Sequence, residues 1–268
     1  RMLPMFELVP SVMMTISVVG LITFIFAGTM ALVMTDIKRV LAYSTISHLG
    51  LMMLSLGAFG MAAAIFHLVA HGVSKAMLFL GAGSIMHSMN NETNVWKMGG
   101  LRGGMRITTL TFVIGAASLA GIIPLSGFFS KDEVLLSVFE HRNPVFIVFT
   151  LAAIALSALY MARVTFIVFF GRLKPENERV HESPLVMTVP LILLAFFSLS
   201  VGFLALNWTE AYRGFGDFLF REGEFHVKAW LTGLSLFLAL SGVAIGWLAY
   251  VKGRISHHSL AQRYPTLY

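Results

Sequence analysis

The stretch Met61-Ala-Ala-Ala-Ile-Phe-His-Leu-Val-Ala-His-Gly-Val-Ser-Lys-Ala-Met-Leu-Phe-Leu-Gly-Ala-Gly-Ser-Ile-Met-His-Ser-Met89 decides the fold class. About 20 predominantly apolar residues let a helix cross the hydrocarbon core of a bilayer. This run exceeds that length with Lys75 as its one formal charge. Runs of similar character lie near Leu8–Met34, Val40–Phe59, Ile107–Phe139, Pro144–Phe170, Leu185–Leu206 and Ala229–Val251. Together they predict an all-α polytopic membrane bundle of about seven spans. Composition agrees: hydrophobic residues make up 57% of the 268, charged residues 12%, and mean hydropathy is +0.82. A soluble domain carries roughly a quarter charged residues, so too little polar surface remains here for water, and the solvent is lipid.

The net charge of +6 has a membrane explanation. Lys38, Arg39, Lys97, Arg102, Arg106, Arg172, Lys174, Arg179, Lys252, Arg254 and Arg263 fall on one side of the predicted spans. Arg1, Arg142, Arg213, Arg221 and Lys228 fall on the other, and Lys75, Lys131 and Arg163 lie within spans. Basic loops mark the cytoplasmic side, which predicts an N-terminus outside and a C-terminus inside. No basic stripe interleaved with aromatics points to nucleic acid. The chain has no cysteine, so it offers no thiolate for an iron–sulfur cluster, and any redox chemistry is expected on partner chains. No signal-peptide pattern opens it; Arg1 in place of an initiator methionine and the plain ending at Tyr268 read as the ends of a fragment.

The fourth run fails a length check. As one helix Ile107–Phe139 would be ~50 Å long against a hydrocarbon core of ~30 Å. Gly121, Pro124 and Gly127 sit in its middle, within Ala120-Gly-Ile-Ile-Pro-Leu-Ser-Gly-Phe-Phe-Ser130. Proline removes a backbone donor and clashes with the preceding turn, so a discontinuous helix is predicted. Broken helices persist in membranes where the freed backbone is buried in protein or lines a wet cavity. A simple proline kink without transport meaning is the competing reading.

Lys75 falls near mid-membrane. Facing lipid there would cost roughly 3 kcal/mol on insertion scales, so the amine should face protein or water. His67 and His71 precede it at i, i+4, i+8 spacing, which puts all three on one helical face about 6 Å apart. Imidazole titrates near neutrality, so such a row suits proton transfer through water, although a lone intramembrane histidine is more often a hydrogen-bonded core residue. Two histidines without a third ligand, next to an amine, make no metal site. Lys131, Asp132 and Glu133 follow the proposed break. Along an unbroken helix Lys131 would lie about 36 Å from Ile107, solvated at the surface; only a break returns it to the core. His48 ends Tyr43-Ser-Thr-Ile-Ser-His48, whose hydroxyls suit a hydrated interface or simply tight helix packing. Arg163 either snorkels or pairs with an acid.

Three strings carry a resemblance: Asp36-Ile-Lys-Arg-Val-Leu-Ala-Tyr-Ser-Thr-Ile-Ser-His-Leu-Gly50, Phe66-His-Leu-Val-Ala-His-Gly-Val-Ser-Lys-Ala-Met-Leu-Phe-Leu80 and Gly127-Phe-Phe-Ser-Lys-Asp-Glu133. They resemble the antiporter-like subunits of respiratory complex I. The last string, with His181-Glu-Ser-Pro-Leu-Val-Met-Thr-Val-Pro190, is most similar to the distal, L-type subunit of NADH:quinone oxidoreductase. The M-type sister generally has glutamate where Lys131 stands. His48 departs from the L-type glutamine and matches the M-type pattern. Large subunits of multisubunit Na+/H+ antiporters and membrane-bound hydrogenase relatives share the superfamily.

The resemblance implies two inverted five-helix repeats, each with a broken helix. Residues 1–170 would be the second repeat, and 171–268 two additional spans with a truncated C-terminal segment. It implies a proton relay through Lys75, Lys131, His67 and His71, with the break at Gly121, Pro124 and Gly127; the residues themselves add His48, Asp132 and Glu133 as candidate relay groups and suggest no metal. NADH, FMN, iron–sulfur clusters and quinone would belong to partner subunits. The expected setting is a bacterial inner membrane, beside the other membrane-arm subunits and especially the M-type neighbour. A scaffold whose buried charges only specify packing remains the reading from another class.

Overall fold

The computed structural model describes residues 5–6, 8–206, 208–209, 212–220 and 228–252. Arg1, Arg221, Arg254 and Arg263, used in the charge comparison, lie outside the described residues, as does the segment beyond Lys252. The described residues form helices α1 (Pro10–Val33), α2 (Ile37–Gly57), α3 (Met61–Ser88), α4 (Arg106–Ala120), α5 (Ser126–His141), α6 (Pro144–Thr165), α7 (Leu185–Ser200), α8 (Phe215–Phe220) and α9 (Ala229–Tyr250). Six of these helical segments are long and apolar enough to cross a membrane. The short pair α4 and α5 makes the discontinuous seventh crossing, so a bundle of about seven spans is the architecture.

The exterior is apolar, as a lipid-facing surface must be: Ile22, Leu110, Phe196 and Val186 are all exposed. The interior holds what lipid rejects, including Lys75, Lys131, Asp132, Arg163 and three histidines. In lipid, helices are drawn together by close packing rather than by water exclusion, which favours glycine at contacts. α1 and α2 meet at Gly20 and Gly50, where an added Cβ would stand 2.4 Å from the Leu54 nitrogen and 2.6 Å from the Phe24 nitrogen. α9 lies on α6 through Gly242 and Gly246 against Ala155, Ala158 and Ala162.

Local sequence sets the ends. Asp36 caps α2, accepting from the Arg39 N–H at 3.0 Å, and Asn143 with Pro144 opens α6. The first turn of α4 is capped from far along the chain. The Glu182 carboxylate accepts from the Ile107 N–H at 2.6 Å and the Thr108 hydroxyl at 2.6 Å. α6 ends in a π-helical turn, Phe166–Phe170. The predicted span Leu185–Leu206 is α-helical only to Ser200 and tightens to a 3-10 segment, Val201–Ala205, where Gly202 presses on Phe129 and Ser126 of α5. α8 is too short for hydrophobic periodicity to reveal it.

Candidate functional site

The fourth run breaks at residues 121–125. Gly121, at φ +85°, takes the left-handed conformation that ends a helix, and Ile122 N–H donates back to the Ala117 carbonyl at 3.1 Å. A helix end leaves its last carbonyls without intrahelical donors, which is costly inside a membrane. Here the Leu119 carbonyl accepts from the Lys131 amine, which has been carried back beside it by α5. The amine also donates to Ser157 Oγ of α6 at 2.8 Å. A cation at a helix C-terminus is favourable for the dipole as well. The opposite end of the break is served by Ser118, whose Oγ accepts from the Gly127 N–H at 3.1 Å and from Ser74 Oγ of α3 at 2.9 Å.

This geometry removes the bulk-water position for Lys131, which is 4% exposed, while Asp132 is buried and Glu133 half-buried. The Asp132 carboxylate accepts from Thr232 of α9 at 2.7–2.8 Å. Glu133 Oε2 is buried without a hydrogen-bond partner. Of the break residues, Gly121 and Gly127 are buried and Pro124 faces outward. Gly127 permits the close crossing of α5 on α4, since a Cβ there would lie 1.9 Å from the Ser118 carbonyl oxygen.

Lys75, 6% exposed, points into protein and donates to the Leu41 carbonyl of α2 at 2.9 Å. One and two turns before it, His71 and His67 face inward on the same side of α3, ring centroids 6.1 Å apart. His48 of α2 completes the cluster. Its Nδ1 lies 2.9 Å from His67 Nε2, and its ring is 5.2 Å from His67 and 5.1 Å from His71. His67 Nδ1 lies 2.9 Å from Ser130 Oγ, next to Lys131 in the chain. His48 Nε2 and His71 Nε2 are buried ring nitrogens without a protein partner.

This set can be ordered in two ways. Either His67 Nε2–H donates to His48 and its Nδ1 accepts from Ser130, or His48 donates to His67 and His67 Nδ1–H donates to Ser130. Which applies is a matter of tautomer. Passing one proton along the line converts one order into the other. Among the described residues no group of three or more His, Cys, Asp or Glu side chains is placed to hold a metal.

Arg163 is buried in α6, donates to the Met34 carbonyl at 2.8 Å and stands over the Trp96 ring at 5.6 Å, so it does not snorkel. Sequence reasoning did not single out Ser74, Ser118, Ser130, Ser157 or Tyr160. The serines within the break string and at helical spacing opposite small residues were the available signal.

The chain that carries these residues has recognisable relatives. Residues 1–157 match the family model described as NADH:quinone oxidoreductase/Mrp antiporter, TM. NAD(P)H-quinone oxidoreductase chain 5 of Picosynechococcus sp. is 36% identical across 100% of this chain and 46% of its own length. NADH-quinone oxidoreductase subunit L of Rickettsia typhi is 38% identical across 97% of this chain and 41% of its own. The chain thus spans less than half of these relatives. Among solved structures, a chain of the membrane-bound sulfane sulfur reductase, an archaeal respiratory membrane complex, superposes with TM-score 0.72 at 27% identity, covering 90% of this chain and 41% of that one. A chain of the Mrp complex from Dietzia sp. shares the fold, with TM-score 0.73 at 24% identity, covering 94% of this chain and 29% of that one. The chain belongs to the NADH:quinone oxidoreductase/Mrp antiporter transmembrane family.

Proposed function

We propose that this chain is part of an L-type antiporter-like subunit of an NADH:quinone oxidoreductase, and that it moves protons through the membrane arm. The observation that carries the reading is the pair of buried amines, Lys75 and Lys131, with His67 and His71 on the Lys75 helix, Ser130 on the Lys131 helix and His48 of α2 beside them, joined at 2.9 Å from His48 to His67 and from His67 to Ser130. Burying such groups is costly, and intramembrane ionisable residues are characteristic of ion pathways. Lys75 would hold and pass a proton. The imidazoles would connect it toward Ser130 through water taken up at the unpartnered ring nitrogens, since buried polar atoms recruit such water. Lys131 would govern exchange with the outer side, with Asp132 and Glu133 as the neighbouring acids.

Residues 1–170 serve in this reading as the second five-helix repeat, and α7 and α9 as additional spans. NADH, FMN, iron–sulfur and quinone chemistry would lie on partner subunits, the nearest being the M-type neighbour. The basic loops orient the N-terminus outward and the C-terminus toward the cytoplasm of a bacterial cell.

The test is Lys75→Ala in the intact subunit, with proton translocation and NADH oxidation measured together in membrane vesicles. The expected result is an assembled complex that oxidises NADH with fewer protons moved per electron; an unchanged ratio defeats the proposal. Membership of a family that also includes Mrp antiporters favours cation/proton exchange as the second reading. Proton movement driven by a sodium gradient, with no response to NADH, would select it.

A further inference from the structure

Both amines are anchored on helices that meet at a single buried phenol. Lys75 donates to the Leu41 carbonyl on α2, and Lys131 donates to Ser157 on α6. Ser44 lies three residues after Leu41 on α2, and Tyr160 lies three residues after Ser157 on α6, which is one helical turn in each case. Ser44 Oγ donates to the Tyr160 hydroxyl at 3.0 Å, and Ser47, one turn further along α2, is the phenol's second hydroxyl neighbour. Ser47 in turn donates to the Phe24 carbonyl of α1 at 2.7 Å. Ser44, Ser47, Ser157 and Tyr160 are all fully buried.

A tyrosine ring alone would fill this space as well as phenylalanine. The hydroxyl in a lipid-shielded interior is tolerated because the serines satisfy it, and that gives it directional contacts which apolar packing lacks. We propose that Tyr160 is a positioning residue: its hydroxyl fastens α2 to α6 one turn from each amine's anchor and so holds Lys75 and Lys131 in register for proton transfer. α2 also carries His48, so the same bond sets the depth of the imidazole cluster. Tyr160 itself neither binds nor passes the proton. The inference rests on the proton-relay reading, and the experiment separates the two.

Tyr160→Phe and Ser44→Ala, singly and together, are introduced into the intact subunit, with Lys75→Ala and Lys131→Ala made in parallel. Assembly, NADH oxidation and protons moved per electron are measured on each. Losing one net hydrogen bond shifts the aligned-to-misaligned equilibrium by about fivefold. The proton-to-electron ratio of Tyr160→Phe should therefore fall toward that of Lys75→Ala while NADH oxidation persists. The double variant should be no worse than Tyr160→Phe alone, because losing the phenol hydroxyl already removes the Ser44 bond. A hydroxyl that merely stabilised the bundle would lower the amount of assembled complex and leave the ratio of the assembled fraction unchanged. That result overturns the proposal, as does an additive double variant. Where Tyr160→Phe assembles poorly, Ser44→Ala supplies the same reading. If the lysine variants keep the wild-type ratio, the relay reading itself fails; if only they lose it, the role of Tyr160 fails alone.

Discussion

Gly127→Ala is the sharpest probe of the broken helix. The added Cβ would stand 1.9 Å from the Ser118 carbonyl oxygen and 2.6 Å from its carbon, both backbone atoms. Ordinary carbon–oxygen contact needs well over 3 Å, so α5 must retreat from α4 by more than about 1 Å. The Gly127 N–H bond to Ser118 Oγ, already 3.1 Å, would then break, and the bond from the Lys131 amine to the Leu119 carbonyl would be stretched. One hydrogen bond at about 1 kcal/mol, added to an overpacking cost of about 1–3 kcal/mol, gives about 2–4 kcal/mol. Domain stabilities are typically about 5–15 kcal/mol, so the loss is a large share. The assay is the abundance and thermal stability of the assembled complex in native membranes, with Gly83→Ala as control. A Cβ at Gly83 meets nothing within 4 Å, and alanine gains roughly 1 kcal/mol over glycine in a helix. Gly83→Ala should therefore be neutral or stabilising. Wild-type stability and full coupling in Gly127→Ala would refute the close crossing.

Gly50→Ala should force α1 from α2, because its Cβ would meet the Phe24 nitrogen at 2.6 Å; a thermal-shift loss of about 1–3 kcal/mol is expected, and none would contradict the packing. Glu182→Ala should cost about 1–2 kcal/mol by uncapping α4, with Glu182→Asp or Glu182→Gln recovering part of it in the same assay. For Asp36, burial alone would raise the carboxyl, but hydrogen bonds from Thr93 and from the Arg39 and Lys38 backbone hold it below its usual value of 3.8. A depressed carboxyl contributes stability that is full above its unfolded value and lost as pH falls through the folded one. Asp36→Ala should thus cost about 1 kcal/mol at neutral pH and flatten the acid limb of the stability profile below about pH 4.

The spans and the break were legible because they depend on local properties. Apolar length reveals a crossing helix, and Gly121, Pro124 and Gly127 within an overlong run reveal where one is interrupted. The shared face of His67, His71 and Lys75 follows from helical spacing. Spacing on one helix does not say what stands opposite, and there the sequence was silent. His48 meets His67 across α2 and α3, residues 19 apart in sequence. Lys131 finds a carbonyl released by the break itself, which no residue type advertises. Glu182 caps a helix that starts more than 70 residues earlier, and the three-residue offsets linking Tyr160 and Ser44 to the amine anchors matter only once α2 and α6 are known to touch.

Proton relay through this chain requires buried lysines that change protonation during turnover. Redox-induced infrared difference spectra of the intact complex, with and without 15N-lysine labelling, test that directly. The expected result is a label-sensitive ammonium band on NADH addition that loses intensity in Lys75→Met while NADH oxidation continues. A spectrum with no lysine band, or one whose band survives Lys75→Met unchanged, would contradict it.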